Sequence, residues 1–507
     1  MKILFVFKNT EWLGVELLSA CLKQAGHEIA LAFEVGIDGT FYFPARKSTH
    51  KSILAKIREF QPHLIAFSST TTLYPWVREV ASAAKHHFDI PIMVGGIHAT
   101  ICAEKVITDK NIDMICIGEG EEAMVELANK WQAGQNYYDT RNIWFKAKDG
   151  LIKNDIRPPV SDLDKLPFPD KDLFYEYGCF TDRVYIMTGR GCPYQCTYCH
   201  NHQVHKLYNG YPSQFIRRRS VDSIIEELRY YSRKYHMKSV HFFDDMFIID
   251  KKWIMEFCQQ YSKEIGLPFY CLVRADHVTR EIMEALKEAG SKWISMGLES
   301  GNEYILNRVL KRDMDTATII KAADIIKKAG IKLITFNMFG LPSETREQML
   351  DTVKLNLQIK PDALFSFTFY PFPGTELMKT AYEQKYIDED TLEKIQTGIG
   401  NYTSESILKH PYKMVAYNIK VILPLLNKMP RWMHNYFLRK WIFAKHPNYL
   451  LLLIKIVSIP CYSPWEAKAR VKEQINIYRL SFGRSIGECI NRVRQYFVSR
   501  RSQENAS

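Results

Sequence analysis

Three cysteines lie close together in the middle of the chain, within residues 188–199. Cys196 follows Cys192 after four positions, and Cys199 follows Cys196 after three. One loop with this spacing can wrap around a cubane, because thiolates are the ligands that iron–sulfur clusters require. Three cysteines leave one iron of a [4Fe-4S] cluster without a protein ligand, and an open coordination position distinguishes a reactive metal site from a structural one. The motif therefore predicts a reactive cluster.

Two other interpretations use the same residues. A structural zinc site could take its fourth ligand from His200 or His202, or the cysteines could pack without any metal. The glycine at position 191 and the aromatic Tyr198 before the last cysteine favour the cluster, with the two histidines as surface residues. The chain has 11 cysteines in no small-scaffold pairing pattern, which indicates a reducing, cytoplasmic compartment.

Six short apolar runs follow one another between residues 183 and 395, separated by helical stretches. We predict strands at residues 184–188, 239–243, 269–273, 293–298, 333–339 and 363–370. Alternating strands and helices form a parallel sheet, and six strands favour a three-quarter barrel over a full eight-stranded one. The pattern predicts a partial (β/α)6 barrel with the cysteine loop directly after its first strand. Barrel enzymes place their chemistry at the carboxyl ends of the strands.

Charged side chains end the second, third and fourth of these strands. The paired carboxylates Asp244 and Asp245 suit an α-ammonium group, and Arg274 suits a carboxylate. Glu299 could accept hydrogen bonds from both hydroxyls of a ribose. Each has an ordinary alternative, because Asp245 or Glu299 could cap a helix and Arg274 could pair with Asp276. Three such strand ends in succession favour a shared ligand over three separate structural roles.

The cysteine segment resembles the signature of the radical S-adenosylmethionine (SAM) superfamily, and the similarity continues over residues 185–382, including the run 297–301. The resemblance implies that Cys192, Cys196 and Cys199 hold a [4Fe-4S] cluster whose open iron binds the amino and carboxylate groups of SAM. An electron donor such as flavodoxin or ferredoxin would reduce the cluster. SAM would then be cleaved to methionine and a 5′-deoxyadenosyl radical that abstracts hydrogen from substrate. Tyr198 would pack against the adenine, and the strand-end groups would contact the rest of SAM.

A separate series of strands and helices occupies residues 1–135. We predict strands at residues 3–7, 29–33, 64–68, 92–94 and 114–117. Their alternation with amphipathic helices predicts an open, parallel, Rossmann-like sheet covered on both faces, and ligands of such sheets bind beyond the carboxyl ends of the strands. Small or hydroxylated residues, which let backbone approach a large ligand closely, stand at those ends: Ser68, Ser69, Thr70, Gly95, Gly96 and Gly118.

An α/β domain ahead of a radical barrel resembles the subfamily that adds a cobalamin-binding domain, and the resemblance implies that these strand-end residues contact cobalamin. The Asp-x-His-x-x-Gly motif that supplies a cobalt ligand in many such domains is absent, and residues 8–13 read KNTEWL instead. Many radical members resemble this chain in lacking it, which leaves cobalt without a protein imidazole. His98 could replace that ligand, although a loop histidine near glycines is more often a hydrogen-bonding bystander. A degenerate domain that binds no corrinoid is the alternative.

The two domains together predict a cobalamin-dependent radical methyltransferase. By resemblance, one SAM would methylate cob(I)alamin, and a second would give the radical that activates an unreactive carbon, which then takes the methyl group. This scheme requires the carboxyl ends of both sheets to converge on one cavity. A cyclase or oxidative enzyme with the same cofactors is a second hypothesis. A non-catalytic iron–sulfur or zinc-binding interaction protein is a third.

The composition changes towards the end of the chain. We divide the chain into a Rossmann-like domain at 1–135, a linker at 136–182, a barrel at 183–395 and a basic helical region at 396–507. After residue 400 there are 18 Lys and Arg but only 5 Asp and Glu, while the net charge of the whole chain is +12. Such an excess suits an anionic surface, although a charge run is more often a solvated face.

Two segments of this basic region bear on these interpretations. Residues 449–459 are too few to span a bilayer, which needs roughly 20 apolar residues. Residues 429–441 mix cations with aromatic side chains, a composition typical of helices in a membrane interface. The region therefore either contacts a membrane peripherally, so that the small-molecule substrate is lipid-like, or simply packs against the barrel. Nucleic acid is not an expected partner, because the cations form no compact basic arm.

Overall fold

The structure, a computed structural model, describes residues 1–34, 50–179, 182–402 and 406–442. Two sheets follow one another along the chain, each packed against helices, and a helical segment comes last. The predicted α/β fold class is confirmed. The apolar run at residues 449–459 lies outside the described residues.

The first sheet contains seven strands. They are β1 Lys2–Lys8, β2 Glu28–Glu34, β3 Leu64–Ser68, β4 Ile92–Gly95, β5 Met114–Cys116, β6 Ile143–Ala147 and β7 Gly150–Lys153. Their order is β2-β1-β3-β4-β5-β6-β7, with the first five strands parallel and the last two antiparallel. The helices here are α1 Leu13–Gln24, α2 Lys51–Phe60, α3 Tyr74–His87, α4 Gly96–Ile101, α5 Ala103–Ile107 and α6 Glu121–Gln132.

Strand β1 shows why this sheet is buried on both faces. Ile3, Phe5 and Phe7 join an apolar cluster on one face, while Leu4 and Val6 join a second cluster on the other. A strand covered on both sides reads as a continuous apolar run, not as an alternating one. The prediction of an open parallel sheet covered on both faces is confirmed for the first five strands.

The segment expected to be a linker does more than connect the domains. Strands β6 and β7 form a hairpin that extends the first sheet beyond β5. Gly150, with a φ of +128°, takes a conformation at this turn that L side chains rarely adopt. Only Ile143 and Phe145 of β6 are fully buried, so the apolar alternation is short and the strand pattern is weak.

Later residues of the same segment complete the core of the first domain. Helix α7, Asp172–Tyr175, places Phe174 edge-on against the rings of Phe7 and Phe33. Just before it, the Lys171 ammonium lies 2.6 Å from Glu16 and 3.3 Å from Glu11, and all three side chains are buried. Burial raises the pKa of Glu11 to about 8, against the opposing charge of Lys171.

The second sheet is the predicted partial barrel. Its six strands are β8 Arg183–Ile186, β11 Ser239–Phe242, β12 Phe269–Val273, β13 Ser291–Glu299, β14 Lys332–Phe339 and β15 Ala363–Thr368, while β9 Gly189–Arg190 and β10 Arg217–Arg218 form a small separate hairpin. Neighbouring strands of the six-stranded sheet are all parallel, in the order β15-β14-β13-β12-β11-β8. The helices are α8 His200–Leu207, α9 Val221–Lys234, α10 Lys251–Glu264, α11 Arg280–Glu288, α12 Thr316–Lys328 and α13 Arg346–Ile359.

Side-chain caps fix where the outer helices of the barrel begin. Helices α9 to α13 each follow a residue whose side-chain oxygen accepts a hydrogen bond from the backbone N–H three positions on: Ser220, Asp250, Thr279, Asp315 and Thr345. Such caps satisfy backbone donors that the helix leaves unpaired and contribute about 1 kcal/mol each. They set the lengths of the loops that precede these helices.

The last described segment packs on the outside of the barrel. Its helices are α14 Glu376–Glu383, α15 Glu389–Gln396, α16 Lys413–Leu426 and α17 Arg431–Tyr436, followed by a π-helical turn at Phe437–Trp441. Helix α16 covers the last strands, where Ile419 and Leu423 join Phe339 and Leu364 in one apolar cluster. No helix among the described residues is both long and apolar enough to cross a bilayer.

Candidate functional site

The cysteine loop follows β8 and is fixed from two sides. Thr197 donates from its backbone N–H to Leu310 at 3.1 Å and from its hydroxyl to Val309 at 2.6 Å. Its carbonyl accepts from the Leu377 N–H at 2.9 Å. Cys196, next to it, is buried, whereas Cys192 and Cys199 are partly exposed. The loop is therefore held in shape at its centre, while the residues that carry its other two thiols are partly exposed.

The three thiols share one electrostatic environment. Burial raises the pKa of Cys199 to about 12, and the nearby Asp245, Cys196 and Cys192 add to that rise. Burial likewise raises the pKa of Cys192 to about 11, partly offset by Arg274. The Cys192 and Cys199 thiols therefore resist deprotonation unless a cationic centre joins them, because burial and neighbouring thiolates both disfavour the charged form. This is the donor set that an iron–sulfur cluster needs.

The geometry also bears on the zinc alternative. Among the described residues, no group of three or more His, Cys, Asp or Glu side chains is arranged to hold a single metal ion. A cubane offers a separate iron to each cysteine, so its ligands need not meet at one point. His202 is buried, not a surface residue as expected, and burial lowers its pKa. His200 packs its ring 4.8 Å from Phe372.

The two aspartates after β11 have different surroundings. Asp244 is buried, and one of its oxygens accepts from the backbone N–H and hydroxyl of Thr188 at 2.8 and 2.6 Å. Burial raises its pKa to about 6. Asp245 is exposed at the cysteine loop, yet desolvation of its carboxyl group raises its pKa. Hydrogen bonds from Asn201 and the Gly191 backbone act to lower that pKa. Asp245 is the more exposed of the two residues, and it does not cap a helix.

Arg274 lies against the cysteine loop. Its guanidinium lies 3.7 Å from the centre of the Tyr194 ring, and one nitrogen is 3.9 Å from the Cys196 sulfur. Another nitrogen donates to both carboxylate oxygens of Asp276 at 2.9 Å, as the alternative interpretation expected. Arg274 also donates to the carbonyl of Arg312. Its charge thus supports the loop near the thiols, and most of its donors are occupied.

Glu299 ends β13 in an unusual backbone conformation. Its φ is +64°, and the register with β14 shifts at this point. A non-glycine residue in the left-handed region costs roughly 1 kcal/mol or more and tends to occur at functional sites. Its carboxylate lies 3.4 Å from the Arg312 guanidinium, and burial raises its pKa although Arg312 opposes the rise. Glu299 therefore aims into the site and does not cap a helix.

Arg312 is the residue that sequence reasoning missed. It is buried, and it donates to the Tyr198 hydroxyl at 2.6 Å and to the Gly297 carbonyl at 2.9 Å. A Cβ at position 297 would lie 2.6 Å from a Glu299 carboxylate oxygen, so a larger residue there would require the Glu299 side chain to shift. Arg312 thereby ties the two predicted SAM contacts, Tyr198 and Glu299, into one unit.

The carboxyl edge of the first sheet brings the predicted cobalamin contacts together. Ser68, Thr70 and Gly95 are partly exposed there, and the Ser69 N–H donates to the Gly95 carbonyl at 2.9 Å. A Cβ at Gly96, whose φ is +86°, would lie 2.7 Å from the Ser69 nitrogen. Two strand ends thus pack backbone to backbone and form a smooth, small-residue edge. Such an edge lets a ligand approach the backbone closely.

We expect Gly96→Ala to destabilise the first domain by about 3 kcal/mol, because it adds a backbone clash to a strained φ. Gly26→Ala is the matched control, since Gly26 has nearly the same φ of +85° but no atom within 4 Å of the added Cβ. That variant should lose only about 1 kcal/mol. Thermal unfolding measures both. Equal losses in the two variants would contradict the close packing of the strand ends.

His98 is a hydrogen-bonding residue in this structure. It is buried, lies 3.2 Å from the Thr71 hydroxyl and packs on the Tyr74 ring at 4.4 Å. Burial lowers its pKa to about 4, and the nearby His200 adds to that effect. The imidazole would have to leave these contacts to reach a ligand beyond the strand ends. The geometry favours the bystander interpretation.

The loop after β5 connects the first sheet to the cysteine loop. Glu119 accepts from both terminal nitrogens of Arg217 at 2.9 and 2.7 Å and lies 3.0 Å from Arg190. Arg190 also binds Glu121 at 2.5 Å. Burial favours the neutral form of Glu119, but the charges of Arg190 and Arg217 prevail and lower its pKa to about 2. A Cβ at Gly118 would lie 2.4 Å from the Tyr208 hydroxyl, so barrel and first sheet meet closely here.

Two family models match the chain. The model described as B12 binding domain matches residues 6–128, and the model described as Radical SAM superfamily matches residues 186–355. The first covers the parallel part of the first sheet, and the second covers the barrel from the end of β8 to α13. The two matched ranges therefore correspond to the two sheets, in the same order along the chain.

Named relatives cover most of the chain at low identity. An uncharacterized methyltransferase of Pyrococcus horikoshii is 27% identical over 81% of this chain and 90% of its own length. The anaerobic magnesium-protoporphyrin IX monomethyl ester cyclase of Cereibacter sphaeroides is 26% identical over 76% of this chain, which spans 64% of the cyclase. The hopanoid C-3 methylase of Methylococcus capsulatus is 24% identical over 75% of this chain and 70% of its own length.

Two solved structures share the fold. The radical SAM methyltransferase TsrM of Kitasatospora setae, solved with cobalamin and a [4Fe-4S] cluster, superposes with a TM-score of 0.61 at 15% identity and covers 75% of each chain. The cobalamin-dependent SAM radical enzyme OxsB, solved with aqua-cobalamin and SAM, gives a TM-score of 0.59 at 19% identity over 81% of this chain and 58% of its own. Both support the arrangement of an open sheet followed by a partial barrel.

Proposed function

The chain belongs to the radical SAM enzymes that carry a B12-binding domain, and on that premise we propose that it is a cobalamin-dependent C-methyltransferase. Its cofactors are a [4Fe-4S] cluster, SAM and cobalamin. The proposed part is the outcome of the reaction, which is transfer of a methyl group to a carbon atom of the substrate. Methyltransferase-named relatives support it, and the cyclase relatives make ring formation the competing outcome.

The residues at the barrel mouth divide the binding of cluster and SAM between them. We assign the cluster to Cys192, Cys196 and Cys199, where it would supply the electron that cleaves SAM. We assign the α-ammonium to Asp245, because this residue is exposed and its charge acts on Cys192 and Cys199. Arg274 holds positive charge next to the Cys196 sulfur.

The ribose and adenine would lie further along the same rim. Glu299 offers a carboxylate whose direction is fixed by its left-handed backbone and by Arg312. The phenol of Tyr198 is anchored by Arg312, so its ring is positioned to pack beside a flat base. Preorganised groups of this kind lower the entropy cost of binding.

One observation supports joint action of the two cofactors, which the methyl-transfer proposal requires, and it is the ion cluster between the domains. Arg190 precedes Cys192 by two positions and binds Glu119 and Glu121 at the carboxyl edge of the first sheet. The cluster loop and the proposed cobalamin edge therefore lie side by side, as transfer of a methyl group between two cofactors demands. The edge residues Ser68, Ser69, Thr70, Gly95, Gly96 and Gly118 would contact the corrinoid.

Isotope labelling tests the proposal directly. Anaerobically purified protein, reconstituted with iron, sulfide and cobalamin and supplied with a reductant, is incubated with SAM whose methyl group carries deuterium and with a cell extract that supplies the methyl acceptor. We expect the deuterated methyl group in a product together with release of 5′-deoxyadenosine. A product without the label would favour a cyclase or oxidative enzyme. Protein that binds iron but shows no corrinoid spectrum would count against methyl transfer altogether.

We further propose that α17 and the turn after it contact an anionic membrane. Trp432 is 78% exposed and Tyr436 is 54% exposed one helical turn later, with Arg431 and Lys440 also exposed. Amphipathic aromatic rings beside cations are typical of interfacial helices, and each cation adds about 1 kcal/mol near an anionic leaflet. A fully buried large apolar side chain contributes about 1.5–3 kcal/mol.

Sedimentation with anionic liposomes at low and moderate salt tests this contact. Replacing Trp432 and Tyr436 together by alanine should weaken liposome binding about tenfold or more, because two interfacial rings are lost. The control is Tyr304→Ala, which removes an aromatic ring that is 58% exposed in the barrel part of the chain. Intact wild-type protein that binds liposomes at neither salt would remove the membrane proposal.

A further inference from the structure

The inner side of the barrel sheet differs from its outer side. On β11 and β12, Val240, Phe242 and Cys271 belong to the large cluster beneath the helices. Side chains alternate between the faces of a strand, so their neighbours His241 and Tyr270 point inwards. The same alternation holds on β13, where Ile294 and Met296 pack outwards and Trp293 and Ser295 face the interior. Every second residue of these strands therefore lines the inner side of the barrel sheet.

Aromatic rings dominate one end of this interior. The first aromatic wall consists of Tyr185, His241, Phe243 and Tyr270, on β8, at the end of β11 and on β12. The Phe243 ring lies 4.9 Å from Tyr185, 6.3 Å from His241 and 6.4 Å from Tyr270. Phe243 is nevertheless 44% exposed. A large apolar ring in contact with three others keeps an open face towards the interior.

A matching set stands at the other end of the curved sheet. The second aromatic wall consists of Phe336, Phe365, Phe367 and Tyr402, from β14, β15 and the loop beyond. Phe367 lies 6.2 Å from Phe336, is parallel to Phe365 at 6.4 Å and meets Tyr402 edge-on at 5.4 Å. Because these strands lie at opposite ends of the sheet order, the two walls flank one interior.

The floor between the walls is a row of apolar and aromatic side chains. Tyr270 of the first wall joins Trp293, Ile334 and Ala363 in one cluster, against which Phe365 of the second wall packs. These residues lie on the four neighbouring strands β12 to β15, so the row joins the two walls. Any open space lies above this floor, between the walls and the cysteine loop. Met187, on that side, is 39% exposed.

Polar groups around this space are largely committed to one another. The Tyr270 hydroxyl donates to the Ser295 hydroxyl at 2.6 Å. At the rim, Arg274 is paired with Asp276, and Glu299 lies beside Arg312. A polar substrate placed between the walls would lose hydrogen bonds to water without replacing them, at roughly 1–3 kcal/mol for each group. An apolar one would lose nothing.

From these observations we infer that the substrate presents an apolar, flat framework, polycyclic or polyene, to the space between the two aromatic walls. The inference rests on the proposed function, since it places the carbon to be activated above the floor and below the cluster loop. Aromatic side chains favour flat partners, which can stack on their faces or meet their edges. Pockets for such ligands are lined mainly by apolar and aromatic groups, with few polar ones.

Binding of pyrene, an apolar polycyclic probe, tests the inference without turnover. Full-length protein is titrated with pyrene and followed by fluorescence, and we expect saturable binding. Phe243→Asn and Phe367→Asn each change one wall and should raise the pyrene Kd about tenfold. Leu151→Asn is the control, because Leu151 is 42% exposed on β7 of the first sheet. Circular dichroism verifies that each variant is folded, and two walls give two independent variants.

The outcomes separate this inference from the proposed function. Absence of saturable pyrene binding, or equal weakening in Leu151→Asn, would overturn it. So would binding of pyrenetetrasulfonate, a charged molecule of the same shape, with the same sensitivity to Phe243→Asn. Cleavage of SAM to 5′-deoxyadenosine is measured on the same wild-type preparation. Cleavage without pyrene binding refutes the substrate class alone, while wall-dependent pyrene binding supports the substrate class whether or not cleavage is seen.

Discussion

Cys196→Ala should abolish reductive cleavage of SAM and remove most of the protein-bound iron. Cys196 is the buried central cysteine of the loop, held between Thr197 and the Arg274 guanidinium. Losing one of three ligands leaves the cluster with two, so we expect at least about a thousandfold loss of 5′-deoxyadenosine formation, roughly 4 kcal/mol. Iron and sulfide analysis and the visible absorption of the cluster measure the binding defect separately from activity.

Cys21→Ala is the matched control for this variant. Cys21 and Cys196 are both 8% exposed, but Cys21 lies on α1 of the first domain. A structural cost of removing a buried thiol should therefore be similar in both proteins, while iron content should fall only in Cys196→Ala. Retention of iron and of SAM cleavage by Cys196→Ala would refute the assignment of the cluster. Biological activity retained after all three cysteines are replaced would favour the non-catalytic hypothesis.

Glu119→Gln should destabilise the contact between the two sheets by about 3 kcal/mol. Its carboxylate holds Arg217 through two hydrogen bonds and faces Arg190, and both arginines would keep their charge without this partner. Breaking one side of a buried ion pair costs about 3–5 kcal/mol, and the lower figure applies because Glu119 is slightly exposed. Hydrogen–deuterium exchange should show faster exchange in residues 187–199.

Glu281→Gln is the control for that substitution. Glu281 pairs with Lys251 on the surface, where both side chains are more than half exposed. Exposed pairs contribute about 0–1 kcal/mol, so this variant should be near wild type. If Glu119→Gln exchanged no faster than Glu281→Gln in the cysteine loop, the ion cluster would not couple the domains.

Acid should act on the same contact, and the sign follows from the pKa of Glu119. That pKa is lowered from 4.5 to about 2 in the folded protein. A carboxyl with a depressed folded pKa contributes stability that is present above its unfolded pKa and is lost as pH falls through the folded value. The contribution should therefore persist above about pH 4.5 and disappear towards pH 2. Wild-type protein should lose more stability in this window than Glu119→Gln, as acid titration of unfolding would reveal.

The strands were predictable because their signal is local. Five parallel strands of the first sheet and six of the barrel follow from apolar runs that lie within a few residues of the observed bounds. Strand β6 was missed, because only two of its five residues are fully buried against the core. An edge hairpin needs little apolar alternation, and the nearby prolines suggested a linker.

The site residues were predictable only where a reactive side chain has a fixed place within one segment of the sequence. The cysteines and the strand-end charges stand at fixed places relative to predicted strands, and the structure gathers them at the barrel mouth. Arg312 had no such place. Arg312 lies between Lys311 and Asp313, which both have a left-handed backbone conformation. Neither residue type signals that conformation in the sequence. The pairing of Glu119 with Arg190 and Arg217 likewise joins segments that are far apart in the chain, so no local pattern could reveal it.

The buried contact of Lys171 with Glu11 and Glu16 has a consequence for how this chain can be dissected. A fragment ending near residue 135 would expose two carboxylates that have lost their cation, together with the face that Phe174 covers. The module that folds and could be exchanged between enzymes therefore extends through α7. Chimaeras joined after Gly178 would preserve the first domain, whereas chimaeras joined at the sequence-defined boundary would cut through its core.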